Sequence, residues 1–222
     1  KCRELGIFSK LIKLEEDVSE DKIIKIIHDL NNDDKINGIL IQLPLPKHLN
    51  ENTILSTVKL SKDVDGFHFE NIGRLSVDKQ PLFIPCTPKG CLEILDRYKI
   101  DLSGKNICIL GRSAIVGLPL SLLLLYRNAT VTICHSKTQN ISEITKRADI
   151  LIAACGRMEM VKKDWIKENC VIIDIGINSK PDSSKKSGYR LVGDVDFNDV
   201  KEKVEYITPV PGGVGPMTIA ML

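Results

Sequence analysis

The stretch "ICILGRSAIVGLPL" (107–120) places Gly111 and Gly117 between an apolar run of strand length and a leucine-rich run. A strand that turns through glycine into a helix lets the backbone approach a phosphate. The helix N-terminus then adds N–H donors and a partial positive charge. The spacing is G-x-x-x-x-x-G and departs from the G-x-G-x-x-G dinucleotide fingerprint, so the strand–turn–helix context carries the reading, and an ordinary turn stays open. Arg112 and Ser113 lie in the same turn. The next apolar run, "ATVTIC", ends in His135, Ser136 and Lys137, where a carboxylate would bind the ribose hydroxyls of NAD. Donors and positive charge at both places favour a 2′-phosphate, hence NADP. His135 also suits a plain capping or solvent-facing role.

Four further stretches set Gly or Pro beside strand ends, where open α/β sheets bind ligands. These are "IQLPLP" (41–46), "KDVDG" (62–66), "PCTPKG" (85–90) and "PVPGGVGP" (209–216). Asp65 could orient a ligand through paired hydrogen bonds or serve its own turn. Gln42 could satisfy a neighbouring loop, and Cys86 suits packing better than nucleophilic attack. The seven cysteines form no C-x-x-C pair, so no metal site is expected. Several fall inside apolar runs, which suits free thiols in a reducing compartment.

The elements that must position these residues follow from periodicity. "GIFSKLIKL" (6–14) and "NGILIQLPL" (37–45) read as strands; "SEDKIIKIIHDLN" (19–31) and "NENTILSTV" (50–58) read as helices. Ser19 suits the cap of the first helix, with Ile23, Ile27 and Leu30 on one face. From Thr87, expected as a helix cap ahead of Pro88, the chain alternates. "CLEILDRY" (helix), "NICILG" (strand), "AIVGLPLSLLLLYR" (helix), "ATVTIC" (strand), "ISEITKRA" (helix), "DILIAAC" (strand), "KKDWIKEN" (helix) and "CVIIDIG" (strand) follow in order. This alternation predicts a Rossmann-like, doubly wound parallel sheet, preceded by an N-terminal α/β domain. "KPDSSKKSGYR" (180–190) reads as a polar, mobile insertion. The length of 222 residues allows two modest domains, and a net charge of +2 gives no general pull toward nucleic acid or membrane. No apolar run approaches the roughly 18 residues that span a bilayer.

"VDGFH", "FIPCTPKGC", "GRSAIVGLP", "ATVTICHSKT", "DIGIN", "VGDV" and "TPVPGGVGPMT" together resemble the bifunctional methylenetetrahydrofolate dehydrogenase/methenyltetrahydrofolate cyclohydrolase family. The resemblance runs from "CRELGI" to "MTIAML". It implies oxidation of methylenetetrahydrofolate with NADP and hydrolysis of the methenyl form to formyltetrahydrofolate, with the folate in a cleft between two domains. It implies that Asp65 hydrogen-bonds the pterin, that Gln42 helps hold a catalytic lysine, and that Pro211 and Gly212 line the folate side. Gly111, Arg112, Ser113, Gly117, His135 and Ser136 match cofactor positions, with Arg112 and Ser136 at the 2′-phosphate. Ile177 and Thr218 match positions near the nicotinamide.

The expected division is an N-terminal folate domain over 1–86, a Rossmann domain over 87–208, and an active-site loop with the start of a returning helix over 209–222. Lys1 matches the position three after the family's catalytic lysine. That lysine and its tyrosine partner are therefore expected upstream of residue 1, and the last helix is expected to continue past residue 222. A homodimer and a cytoplasmic location, with the mitochondrion second, complete the expectation. The alternatives are a non-catalytic NADP- or folate-binding module, a monofunctional dehydrogenase, and a hydroxy-acid dehydrogenase, for which none of the four histidines is well placed.

Overall fold

The computed structural model describes residues 2–77 and 80–222. Lys1, used above to locate the expected catalytic lysine, lies outside them. The chain divides into two compact units, 1–63 and 64–222.

In the first unit, α1 (Glu20–Asn32) and α2 (Glu51–Thr57) carry the core. Ile23 and Ile27 of α1 meet Ile54 of α2, with Ile39, Leu49 and Val58 beside them. Asn50 caps α2, its side chain accepting from the Thr53 N–H at 3.2 Å. Ser19 stands at the start of α1 with extended backbone but makes no side-chain cap bond, for which the structure offers no reason. The far end of α1 is closed by Lys62, whose buried Nζ donates to the Leu30 and Asp33 carbonyls at 2.9 and 2.8 Å. A cation on the last carbonyls of a helix satisfies orphan acceptors and suits the negative end of its dipole.

The two strands expected here do not form. Residues 6–14 join no ladder among the described residues, and Phe8 and Leu11 are 74% and 78% exposed. Within 37–45 only Ile39 pairs, in a single parallel bridge to Asp63. β-propensity specifies half of a strand; the other half is a neighbour in register, and this unit supplies one at a single position.

The second unit begins with α3 (Phe69–Val77) and α4 (Cys86–Arg97). The latter starts one residue ahead of the expected Thr87 cap, with Pro85 at the cap position. Then come β1 (Asn106–Leu110), α5 (Gly117–Leu125), β2 (Thr130–Cys134), α6 (Ile141–Thr145), β3 (Ile150–Ala153) and β4 (Val171–Asp174). The stretch expected as a helix over "KKDWIKEN" is one 3-10 turn, Lys163–Trp165. The polar insertion is an antiparallel hairpin, β5 (Asn178–Pro181) with β6 (Tyr189–Val192). The chain ends through α7 (Phe197–Val200), β7 (Tyr206–Ile207) and α8 (Val214–Met221).

Five parallel strands form one sheet in the order β2-β1-β3-β4-β7. Alternate side chains feed two cores. Ile107, Ile109, Ile150, Ile152, Val171 and Ile173 pack with α4, α5 and Val214 of α8. Cys108, Leu110, Leu151, Ala153 and Ile172 pack with α6, Ile166 and Val200. Cover on both faces explains why β1, β3 and β4 read as unbroken apolar runs.

A buried charge at the sheet's end is Asp174, the last residue of β4. Its Oδ1 accepts from the N–H groups of Gly176 and Asp194, both at 3.0 Å, and its Oδ2 from that of Val195 at 2.9 Å. Burial nevertheless outweighs these donors and pushes the Asp174 carboxyl from an ordinary 3.8 up to about 6. Between those two values the unfolded chain has lost the proton that the folded chain still holds. The contribution of Asp174 to stability is therefore present below pH 3.8 and declines as pH rises to about 6, by at most ~3 kcal/mol. Urea unfolding of the protein and of Asp174→Asn across pH 4 to 8 should show a stability difference that changes over this window and is flat above it. A difference constant from pH 4 upward would refute the raised value.

Candidate cofactor-binding cleft

The C-terminal ends of β1, β2 and β3 converge on a cavity of about 280 Å³. From the turn after β1 come Gly111, Arg112 and Ser113; from β2, Cys134, His135 and Ser136; from β3, Ala154, Cys155, Arg157 and Met160. Five of the sequence-derived cofactor residues, Gly111, Arg112, Ser113, His135 and Ser136, thus meet around one space.

The β1 turn is built for close approach. Gly111 has φ +121°, and a Cβ on it would lie 2.1 Å from the Ala154 carbonyl oxygen. Gly117 does not line the cavity but lies beneath the turn, where a Cβ would come within 2.3 Å of the Gly111 carbonyl oxygen. The two glycines let the turn, the β3 end and the start of α5 stack backbone on backbone. Ser113 Oγ accepts from the Val116 and Gly117 N–H groups at 3.2 and 3.4 Å and so closes the first turn of α5.

At β2 the geometry fixes the imidazole. His135 Nδ1 accepts from the Lys137 N–H at 3.2 Å, so in the neutral ring the hydrogen sits on Nε2. The Thr138 hydroxyl accepts from the His135 N–H at 2.9 Å. His135 therefore shapes the turn and keeps a donor for a ligand.

The β3 side rests on Asp194, which is completely buried. Its Oδ2 accepts from the N–H groups of Cys155 and Gly156 at 2.7 and 2.9 Å, and its Oδ1 from Asn178 at 2.9 Å. Burial, with the Asp194 charge behind it, pushes the Cys155 thiol up to about 12, so this cysteine is wall and not nucleophile.

The remaining predicted residues lie elsewhere. Asp65 sits in a turn where a Cβ on Gly66 would come within 2.8 Å of the Pro85 nitrogen, so this turn packs directly on the 83–85 backbone. Asn71 supports that segment, its Oδ1 accepting from the N–H groups of Leu82 and Phe83 at 2.9 and 3.1 Å. Pro211 follows a cis peptide bond and Gly212 has φ +103°. Ile177 is 66% exposed just ahead of β5. Thr218, on α8, places its hydroxyl 3.0 Å from that of Thr87 on α4. None of these five lines the cavity. Gln42 belongs to the first unit, where it donates to the Leu43 carbonyl at 3.1 Å. Sequence reasoning missed Arg157 and Asp194; the strand end before "CGR" and the motif "VGDV" were the available signals.

This donor set fits a phosphorylated cofactor: a backbone turn that tolerates no Cβ, hydroxyl and N–H donors, and two guanidinium groups. Comparison with known proteins agrees. The family model described as tetrahydrofolate dehydrogenase/cyclohydrolase, NAD(P)-binding domain, matches residues 85–222. The catalytic-domain model of the same name matches residues 1–65.

The chain belongs to the tetrahydrofolate dehydrogenase/cyclohydrolase family.

Within this family it is 59% identical over 221 residues to the bifunctional protein FolD of Thermodesulfovibrio yellowstonii, covering 100% of this chain and 75% of that one. It is also 59% identical over 211 residues to the mitochondrial C-1-tetrahydrofolate synthase of Saccharomyces cerevisiae, covering 95% of this chain but only 22% of the synthase. Among solved structures, the Trypanosoma brucei methylenetetrahydrofolate dehydrogenase-cyclohydrolase, complexed with NADP cofactor and inhibitor, superposes with a TM-score of 0.94 at 37% identity. That match covers 99% of this chain and 75% of the other. For the geometry of this turn, Gly111→Ala should be decisive. The added methyl meets a carbonyl oxygen at a φ that disfavours side chains, and a loss above about 2 kcal/mol is expected by urea unfolding. Wild-type stability in the variant would mean that the turn is looser than described.

Proposed function

We propose that this chain carries the cofactor and folate sites of a bifunctional enzyme of one-carbon metabolism. It oxidises methylenetetrahydrofolate to the methenyl form with NADP and hydrolyses that form to formyltetrahydrofolate. The observation that carries the reading is the convergence of Gly111, Arg112, His135 and Ser136 on one cavity at the strand ends.

NADP, when bound, would supply a hydride acceptor for the carbon between two folate nitrogens. The protein's part in that step is orientation. Gly111, with Gly117 packed beneath its turn, would admit the phosphates to the backbone, Arg112 and Ser136 would hold the 2′-phosphate, and Ser113 and His135 would supply further donors. Ile177 and Thr218 are assigned to the nicotinamide end. Asp65 orients the pterin through paired hydrogen bonds, and Pro211 and Gly212 form the folate wall. In the second step water adds to the cationic carbon and one carbon–nitrogen bond opens, with release of a proton. That proton needs an acceptor with a lowered pKa, the role of the family's lysine, which Gln42 is assigned to hold.

None of the seven cysteines is joined in a disulfide, as suits a reducing compartment, for which we propose the cytoplasm. Relatives named for the mitochondrion and the chloroplast are 59% and 53% identical to this chain. No helix among the described residues is long and apolar enough to cross a membrane. A homodimer belongs to the same proposal, and sedimentation equilibrium reads it directly: a monomer at micromolar concentration would remove it.

The enzymatic reading is checked on purified full-length protein by following methylenetetrahydrofolate oxidation with NADP and with NAD. Turnover should favour NADP, and Arg112→Gln should reduce that preference at least tenfold. Tight NADP binding with no turnover would replace the enzyme by a cofactor-binding module.

A further inference from the structure

Arg112 and Arg157 border the same cavity, and neither is ion-paired with a carboxylate among the described residues. They reach it from different strand ends, Arg112 from the turn after β1 and Arg157 from the loop after β3. Two guanidinium groups around one space repel each other until an anion lies between them.

The loop that carries Arg157 is pinned on both sides. Ahead of it the N–H groups of Cys155 and Gly156 donate to Asp194 Oδ2. Behind it the Glu159 N–H donates to the Gly193 carbonyl and the Val161 N–H to the Asp194 carbonyl, both at 3.0 Å. Left-handed residues on each side, Gly156 at φ +65° and Glu159 at φ +49°, make this compact path possible. Arg157 is thus an exposed, planar cation on a fixed base, preorganised to bind without ordering its backbone. Partly buried Ile141 and Met160 supply apolar wall in the same cavity, suited to a flat base. At about 280 Å³ the space lies at the low end for a ligand pocket and suits one part of a dinucleotide.

We propose that Arg157 is a specificity-determining residue of the cofactor site, sharing the adenosine 2′-phosphate with Arg112. The inference rests on the NADP reading above and adds a second cation to it.

Calorimetric titration of the full-length protein with NADP, NAD, adenosine 2′,5′-bisphosphate and AMP tests it without turnover. Arg157→Gln should weaken NADP and the bisphosphate about tenfold while NAD and AMP change less than about twofold. The side chain is exposed, so the variant should keep the parent's melting temperature. Equal weakening of all four ligands would place Arg157 on a shared part of the cofactor and overturn the proposal, as would no change in any. Failure of the underlying reading has a different signature: the unmodified protein would then bind NAD as tightly as NADP, before any substitution is made.

Discussion

A buried carboxylate at the end of a central strand is the constraint on which the cleft depends. Asp174 ends β4 and collects backbone N–H groups from residues 176, 194 and 195. This fixes the path of 193–196, and that segment in turn presents the Asp194 carboxylate and two carbonyls to the loop after β3. Charge, and not apolar packing, therefore sets the position of one wall of the cleft. Three main-chain donors in a dry site form a preorganised anion cage, and they oppose the desolvation cost without cancelling it.

The rest of the site follows from sheet topology. In the order β2-β1-β3 the β1 turn is central, with the β2 and β3 ends on either side. Groups separated by tens of residues in the chain therefore meet at adjacent strand ends, the usual place for ligands in open α/β sheets. Surface ties hold the surroundings. Lys180 of the hairpin pairs with Glu159, and Lys162 pairs with Asp196, so exposed elements brace the loop behind the cleft. Each such pair is worth little alone; together with the partly buried Asn178–Asp194 bond they share one framework.

Much of this was legible in the sequence where a local pattern sufficed. Apolar β-branched runs marked β1, β3 and β4, because a strand buried on both faces has no polar alternation to hide it, and β2, with Thr130 and Thr132 exposed at the sheet edge, was marked by its β-branched residues. The Gly111–Gly117 turn and the polar end of β2 were legible through residue type and place. What failed depended on partners. Residues 6–14 and 37–45 have strand-like composition but few neighbours to pair with. "KKDWIKEN" has helical composition, yet its first turn is claimed by long-range bonds: the Asp199 carboxylate accepts from the Lys163 N–H at 2.7 Å, and Lys203 donates to the Lys163 carbonyl at 3.1 Å. The hairpin at 178–192 is mostly exposed and gave no periodic signal. Arg157 and Asp194 were missed because their roles come from residues distant in the chain, Cys155 and Gly156 being 39 and 38 positions from Asp194.

The two glycines facing this cage carry a consequence for how the sequence can drift. A Cβ on Gly193 would lie 1.8 Å from Asp174 Oδ2, and one on Gly176 would lie 2.3 Å from Asp194 Oδ1. Each glycine is thus the steric complement of a carboxylate on the other segment, and the four positions form two interlocked pairs. A side chain can enter at 193 only after the residue at 174 has shrunk, and shrinking 174 first unties the amides at 194 and 195. Either order passes through a damaged intermediate. Mutational history at these four sites should therefore be epistatic, with the quartet inherited as a block.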